Sequence, residues 1–286
     1  IIVRKALENG LVIPAFNIPH PPMLKAIAQA IKDENSVAMI QVARLEWEKF
    51  ESESLENIAN EYAKYAVEGH TLLHLDHVPV IDEDHKEVDY IPIIKRAIAA
   101  GYGSVVVDAS RLDLEGNIAA TRAVADIAHA AGIPVEAELG AVMGHETEQT
   151  AIPYEEIFAK KMGFTRIDEA LKFVEESECD WLSVAVGSVH GAIADNLLDQ
   201  KKPAAKLDVE HIQALRDALN MNRVVYYRAM EEGLAHHVLP NMLLQDGSLY
   251  AQAKKMAGTA SYARMHGIPL PVMTATGSGN QGLTLF

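Results

Sequence analysis

The segment TLLHLDH, residues 71–77, places an apolar run directly before three side chains that bind protons or metal ions: His74, Asp76 and His77. A buried strand gains nothing from imidazoles and a carboxylate, so the segment predicts a polar site where the strand ends. Neutral imidazoles are common zinc ligands, and a catalytic zinc site has three protein ligands and one open position. A neighbouring carboxylate can transfer a proton to or from a bound molecule.

The same arrangement recurs after other apolar runs of the chain. The polar residues at these positions are Asn17, Asp108, Glu138 and His190. Their spacing leaves two interpretations open. Strand-end carboxylates can hold a cation or orient histidine ligands, and they can also cap the helix that follows the strand.

Six short runs rich in Val, Ile and Leu predict buried strands, at residues 11–18, 37–43, 71–77, 104–110, 133–140 and 181–188. Segments with helical spacing lie between them, which predicts a parallel sheet that is covered on both faces. We expect an α/β fold, a (β/α)8 TIM barrel, because six such units in about 190 residues project to eight in a whole barrel.

The rival fold, an open doubly wound sheet, usually has a Gly-rich loop after its first strand, and here that position reads NIPHPPM. In a barrel the carboxyl ends of the strands share one face, which would gather the polar residues.

Composition narrows the classes of partner. The chain has 286 residues, a formal net charge of −15 and one cysteine, Cys179. The acidic balance disfavours a nucleic-acid partner, because phosphates would be repelled. One cysteine excludes a disulfide within the chain and fits a reducing compartment, and no segment predicts a signal peptide or a membrane span. We therefore expect a cytoplasmic protein with neither a nucleic-acid nor a membrane partner.

Several stretches together resemble the class II, metal-dependent fructose-bisphosphate and tagatose-bisphosphate aldolase family. They are VIPAFNI, LHLDH, AIAAGYGSVVVDAS, AHAAGIPVEAELGAVMGHE and DWLSVAVGSVHG. The motif LHLDH alone is weak evidence, but LHLDH, VEAELG and GSVHG in this order and at barrel spacing are specific. The resemblance covers about residues 1–219.

The resemblance implies roles for the strand-end residues. Asp76 would exchange a proton with the C4 hydroxyl of the substrate. His77 and His190 would bind a catalytic Zn²⁺, and Asp108 and Glu138 match acidic positions that hold a second divalent or monovalent cation in some members.

The resemblance also implies a substrate and an assembly. The substrate would be a small phosphorylated sugar. Asn17 would face it near the first strand, and the backbone of Gly191 would contact its ketose phosphate end. Family members are usually homodimers or homotetramers, so we expect one of these assemblies. The sequence leaves open whether the ketose is of the fructose or the tagatose type.

The chain departs from the family pattern after residue 219. The HGGSG-like stretch that supplies a third zinc histidine and a phosphate-binding loop is absent, and three other histidines are candidates for that ligand: His236, His237 and His266. The stretch SYARMHGIPLPVMTATGSGNQGLT, residues 261–284, resembles the cysteine desulfidase and serine dehydratase-like family. We thus expect barrel units over 1–219 and an atypical segment over 220–286, which either closes the barrel or belongs to a different module.

Three functions compete at this stage. The leading hypothesis is a class II aldolase, a carbon–carbon lyase that splits a ketose 1,6-bisphosphate into dihydroxyacetone phosphate and an aldehyde. The second is a non-catalytic, metal-binding barrel subunit. The third is an amino-acid lyase or dehydratase, which only the tail suggests.

Overall fold

A computed structural model of the chain describes residues 2–141, 152–187 and 206–219. The described residues form two compact units. The first runs through Leu112 and resumes with Ala119–Glu138 and Cys179–Trp181. The second contains Asp113–Ile118, Leu139–Glu178 and the described residues after Trp181. None of the helices in this described part of the chain is both long and apolar enough to cross a bilayer.

Strands and helices alternate along the chain. The strands are β1 Ala15–Asn17, β2 Ala38–Ala43, β3 Thr71–Asp76, β4 Ser104–Val107, β5 Val135–Leu139 and β6 Trp181–Val184. The helices are α1 Ile2–Glu8, α2 Met23–Asp33, α3 Arg44–Lys49, α4 Leu55–Tyr65, α5 Tyr90–Ala100, α6 Leu114–Ala130, α7 Tyr154–Ala159 and α8 Ile167–Ser177; residues 209–219 are also helical. The structure confirms all six predicted strands, each within its predicted bounds and shorter than predicted.

The strands are neighbours in chain order from β1 to β6. The pairings of β1 through β5 are parallel. In this register Asn17 lies beside Gln41, and Ala43 lies beside Asp76. Parallel strands in register bring their carboxyl ends to one edge of the sheet, so residues far apart in sequence become neighbours there. This confirms the predicted α/β class with a parallel sheet, and the six strands form part of a barrel; the complete (β/α)8 barrel stays a prediction.

The core of the first unit explains why its strands are apolar on both faces. All four residues of β4 are buried, as are Ile40 and Val42 of β2 and Leu75 of β3. Helices α2, α4 and α5 each bury one apolar face, with residues such as Leu24, Ile58 and Ile94 fully enclosed. A parallel sheet that is covered on both faces needs such continuous apolar strands. Polar side chains interrupt these runs at few positions, among them Gln41 of β2 and His74 of β3.

The second unit is organised around two hydroxyl groups. The Thr165 hydroxyl donates to the backbone oxygen of Leu139 and accepts from the backbone N–H of Ala185, 2.8 Å away. The buried Tyr154 hydroxyl donates to the backbone oxygen of Gly187 at 2.8 Å and accepts from the N–H of Lys206 at 2.6 Å. These bonds fix the chain just after β5 and just after β6.

Candidate metal centre and active site

Four of the predicted site residues lie at consecutive strand ends of the first unit. Asp76 is the last residue of β3, and His77 follows it. Asp108 directly follows β4, and Glu138 is the penultimate residue of β5. The register of β3, β4 and β5 brings the side chains of His77, Asp108 and Glu138 together.

His77 is the centre of this cluster. Its Nδ1 atom lies 3.3 Å from Asp108 Oδ2 and 3.3 Å from Glu138 Oε1. Asp108 is buried, and its other oxygen accepts from the Ser110 hydroxyl at 2.6 Å and from the Ser110 N–H at 3.0 Å. The carboxylate is thereby held in one orientation toward the imidazole.

The backbone at His77 explains how two consecutive residues reach one site. His77 has φ of +39°, in the left-handed region that L-residues rarely adopt. Successive side chains of a strand point to opposite faces, and this turn at the end of β3 reverses the direction for His77. Such a strained residue is commonly found at functional sites.

The three side chains fit the donor set of a divalent cation. One ligand atom from each of His77, Asp108 and Glu138 can be chosen so that all lie within 4.8 Å of one another. Two atoms that bind one tetrahedral zinc ion at about 2.1 Å lie about 3.4 Å apart, close to the two 3.3 Å separations at His77 Nδ1. An imidazole nitrogen with two carboxylate oxygens suits Zn²⁺ and also harder cations, so the donor set leaves the identity of the metal open.

Charge at the cluster favours a positive occupant. Burial by itself would lower the pKa of His77, but the hydrogen bond to Asp108 and the charges of Glu138 and Asp76 raise it to about 10. Burial would raise the pKa of Asp108, but its hydrogen bonds from His77 and Ser110 hold it below its ordinary value. A proton on His77 therefore takes the place that a metal ion would take, and the two compete for the same nitrogen.

Asp76 belongs to a second polar network, which joins β1, β2 and β3. The Asn17 amide donates to Asp76 Oδ2 at 2.8 Å, and its oxygen accepts from the Gln41 amide at 2.9 Å. The same Asn17 nitrogen lies 3.4 Å from Glu46 Oε2. In the structure Asn17 thus contacts the predicted proton-transfer group itself.

A third polar group consists of His74 and Glu136, which precede the site residues of β3 and β5 by two or three positions in the sequence. His74 is buried, with Nδ1 2.6 Å from the Ser104 hydroxyl and Nε2 3.6 Å from Glu136 Oε2. Burial lowers the pKa of His74 to about 4, and burial together with the charge of Asp76 raises the pKa of Glu136 to about 7. Both groups are therefore held largely in their neutral forms between about pH 4 and pH 7.

Sequence reasoning missed Gln41 and Glu46. Gln41 is the one polar residue in the run VAMIQVA, and that interruption was an available signal. Glu46 stands at the third position of α3, a place where a glutamate commonly accepts from the backbone N–H at the helix start. Nothing in its spacing pointed to Asn17.

The remaining predicted ligands lie outside the described residues. They are His190, Gly191 and the candidate histidines His236, His237 and His266. The segment 261–284 also lies outside the described residues, and its resemblance to the dehydratase-like family stays a prediction.

Comparison with protein families gives a match over most of the chain. A family model described as "Fructose-bisphosphate aldolase class-II" matches residues 1–228. This confirms the resemblance found in the sequence and extends it slightly past residue 219, where the motif pattern breaks.

Curated relatives match over the same region. The chain is 31% identical over 225 residues to the fructose-bisphosphate aldolase of Helicobacter pylori, which covers 79% of this chain and 66% of that protein. It is 31% identical over 196 residues to the fructose-bisphosphate aldolase of Treponema pallidum, and this match covers 66% of this chain and 54% of that protein. The chain thus spans about two thirds or less of the length of these relatives.

Solved structures with a similar fold cover more of the chain. The YdjI aldolase from Escherichia coli K12 matches with a TM-score of 0.56 at 21% identity, over 92% of this chain and 91% of that one. The fructose-bisphosphate aldolase of Campylobacter jejuni matches with a TM-score of 0.53 at 16% identity, over 93% and 90%. At these identities the similarity describes the fold alone.

Proposed function

Because the chain belongs to the class-II fructose-bisphosphate aldolase family, we propose that it catalyses a metal-dependent, reversible aldol cleavage. The substrate is a ketose 1,6-bisphosphate of the fructose or tagatose type, and the products are dihydroxyacetone phosphate and an aldehyde. The names of the curated relatives support the reaction and the substrate class.

The observation that carries the proposal is the pairing of two sites on consecutive residues. His77 belongs to the cation-binding cluster with Asp108 and Glu138, whereas Asp76 is held by Asn17. An aldol cleavage needs both parts: positive charge near the oxygens that become negative, and a base at the hydroxyl beside the breaking bond.

The chain's own residues supply the proton transfer. Asp76 accepts the proton of the C4 hydroxyl as the bond between C3 and C4 breaks, and it returns a proton in the reverse direction. Asn17 engages Asp76 Oδ2, and we assign Oδ1 to the substrate. A bound divalent cation supplies Lewis-acid stabilisation of the negative charge that develops on the ketose fragment.

We propose Zn²⁺ as that cation, held by His77 and His190. Asp108 and Glu138 either orient His77 or share a second cation with it. The 3.3 Å separations from His77 Nδ1 support both roles. His236, His237 and His266 remain the candidates for a third histidine ligand.

We also propose that the six units are part of a complete (β/α)8 barrel. Of the described strands, β1 pairs only with β2, and Phe16 of β1 is 39% exposed. Closure by further strands would cover this edge. Residues 220–286 either provide that closure or form a separate module. The proposed assembly is a homodimer or a homotetramer, and light scattering on purified protein would test it.

The experiment measures dihydroxyacetone phosphate release from fructose 1,6-bisphosphate and from tagatose 1,6-bisphosphate, with zinc-loaded and chelator-treated protein. We expect release that the chelator stops and zinc restores. Asp76→Ala should abolish release at unchanged zinc content. The matched control is Asp84→Ala, an aspartate with a 60% exposed side chain on the β3–α5 connection. No release from zinc-loaded protein, or full activity in Asp76→Ala, would refute the proposal.

A further inference from the structure

We propose that Glu46 is a positioning residue for the proton transfer, and that it acts through Asn17 on the carboxylate of Asp76. The consequence for the reaction rate rests on the proposed function. The positioning itself rests only on contacts within the first unit.

Every polar atom of the Asn17 amide has a partner. Its oxygen accepts from Gln41 at 2.9 Å, and its nitrogen donates to Asp76 at 2.8 Å. The nitrogen also lies 3.4 Å from Glu46 Oε2. Gln41 therefore restrains the oxygen of the Asn17 amide, and Glu46 restrains its nitrogen. Together they orient the N–H group that donates to Asp76.

Glu46 is itself a rigid anchor. The residue is 8% exposed, and its Oε2 atom accepts from the backbone N–H of Ala43 at 2.7 Å. Helix α3, which carries it, begins beside the turn after β3, where the N–H of Arg44 donates to the backbone oxygen of His77 at 3.3 Å. One short helix is thus tied both to the amide that holds Asp76 and to the backbone of the metal-ligand candidate.

A purely structural role for Glu46 makes a different prediction. A glutamate that only satisfies the first N–H of α3 would affect the folded state's stability, and the folded protein would turn over at the parental rate. A positioning residue changes the rate of the folded protein instead, because a displacement of about 1 Å at a reacting group can cost about 100-fold.

Kinetic variants separate the two roles. We expect Glu46→Ala to lower kcat by about 10- to 100-fold with little change in KM or zinc content. Glu46→Gln keeps an acceptor oxygen for Ala43 and Asn17, so it should restore most of kcat. The control is Glu48→Ala on the same helix, where a partly exposed carboxylate pairs with Arg44 at 2.9 Å.

A double-mutant cycle tests the route through Asn17. If Glu46 acts through that amide, Glu46→Ala adds no further loss of kcat in an Asn17→Ala background. Independent, additive losses would overturn the proposal, as would a parental kcat in Glu46→Ala.

A readout that needs no turnover keeps the inference separate from the proposed function. In protein labelled with ¹⁵N at asparagine, the Asn17 side-chain signal is identified by its loss in Asn17→Ala. We expect hydrogen exchange of this amide to be slower in the parent and in Glu48→Ala than in Glu46→Ala, because the contacts to Asp76 and Glu46 retard exchange of this exposed side chain. Unchanged exchange in Glu46→Ala would overturn the positioning role, whereas absence of cleavage by the zinc-loaded parent would refute only the proposed function.

Discussion

Asp108→Asn should weaken binding of a divalent cation by about 10- to 100-fold without unfolding the site. The substitution removes one negative charge and keeps the shape of the side chain. Asparagine also retains an oxygen that can accept from Ser110, the present partner of Asp108. The change therefore isolates the charge from the packing.

The magnitude follows from one distance. Asp108 Oδ2 lies 3.3 Å from His77 Nδ1, where two unit charges interact by about 5 kcal/mol at an effective dielectric constant of about 20 and by about 1 kcal/mol at about 80. The side chain of His77 is 39% exposed, so solvent screening favours about 1–2 kcal/mol. A divalent cation doubles the charge, which gives about 2–4 kcal/mol. Part of this loss is offset, because the variant also releases the proton of His77 more easily.

Competition between a metal ion and the proton for His77 Nδ1 makes the zinc affinity depend on pH. The pKa of His77 is raised to about 10, so below that pH a cation must displace the imidazole proton. The apparent affinity of the parent for zinc should therefore rise about tenfold per pH unit through the neutral and mildly alkaline range. A cation-binding site that does not use His77 would lack this slope.

Competition with a chelator of known zinc affinity measures both effects. The control is Asp113→Asn, because Asp113 lies on the same connection after β4 and its exposed carboxylate accepts from the N–H of Gly116 at 2.8 Å. We expect the control to bind zinc as the parent does. An affinity in Asp108→Asn within twofold of the parent would refute the assignment of Asp108 to the cluster.

Two further predictions concern stability. Tyr154→Phe leaves the backbone groups of Gly187 and Lys206 without their hydroxyl partner and should lower the unfolding free energy by about 1–3 kcal/mol; an unchanged urea midpoint would contradict this. The second prediction concerns His74, whose pKa burial lowers to about 4. The stability that comes from keeping this imidazole neutral is complete above the pKa of about 6.5 that histidine has in the unfolded chain. It is lost as pH falls toward 4, by about 3 kcal/mol in total. His74→Gln should remove that loss, whereas parallel stability curves for parent and variant between pH 4 and pH 7 would contradict it.

The sequence was sufficient for the strands and for the positions of the polar residues at their ends. Runs such as SVVVDAS are apolar on both faces because both faces of a parallel sheet are covered, and the polar residue that follows stands where the strand ends. Parallel register then brings Asp108 and Glu138 to His77. These positions follow from periodicity, which local sequence encodes.

Contacts that depend on side-chain direction could not be predicted in this way. The resemblance implied that Asn17 faces the substrate, and the structure adds a contact that it did not imply, because the amide of Asn17 donates to Asp76. Glu46 had the sequence position of a helix cap, and its second contact depends on how α3 packs beside β1. The left-handed backbone of His77 is likewise invisible in the sequence, because it is imposed by the surrounding structure on a residue that does not favour it.

The two polar networks come from different strands and meet on consecutive residues of β3 and its turn. Residues of β1, β2 and α3 hold Asp76, and residues after β4 and in β5 surround His77. The left-handed backbone at His77 lets both residues reach one site, but the two side chains contact different partners. Substitutions on the β1–β2 side should therefore change the rate of proton transfer at constant zinc affinity, and substitutions on the β4–β5 side should change zinc affinity first. A variant at Asn17 that lost zinc affinity would show that the two networks are not separate, and a variant at Glu138 that kept the parental zinc affinity would refute the assignment of Glu138 to the cation-binding cluster.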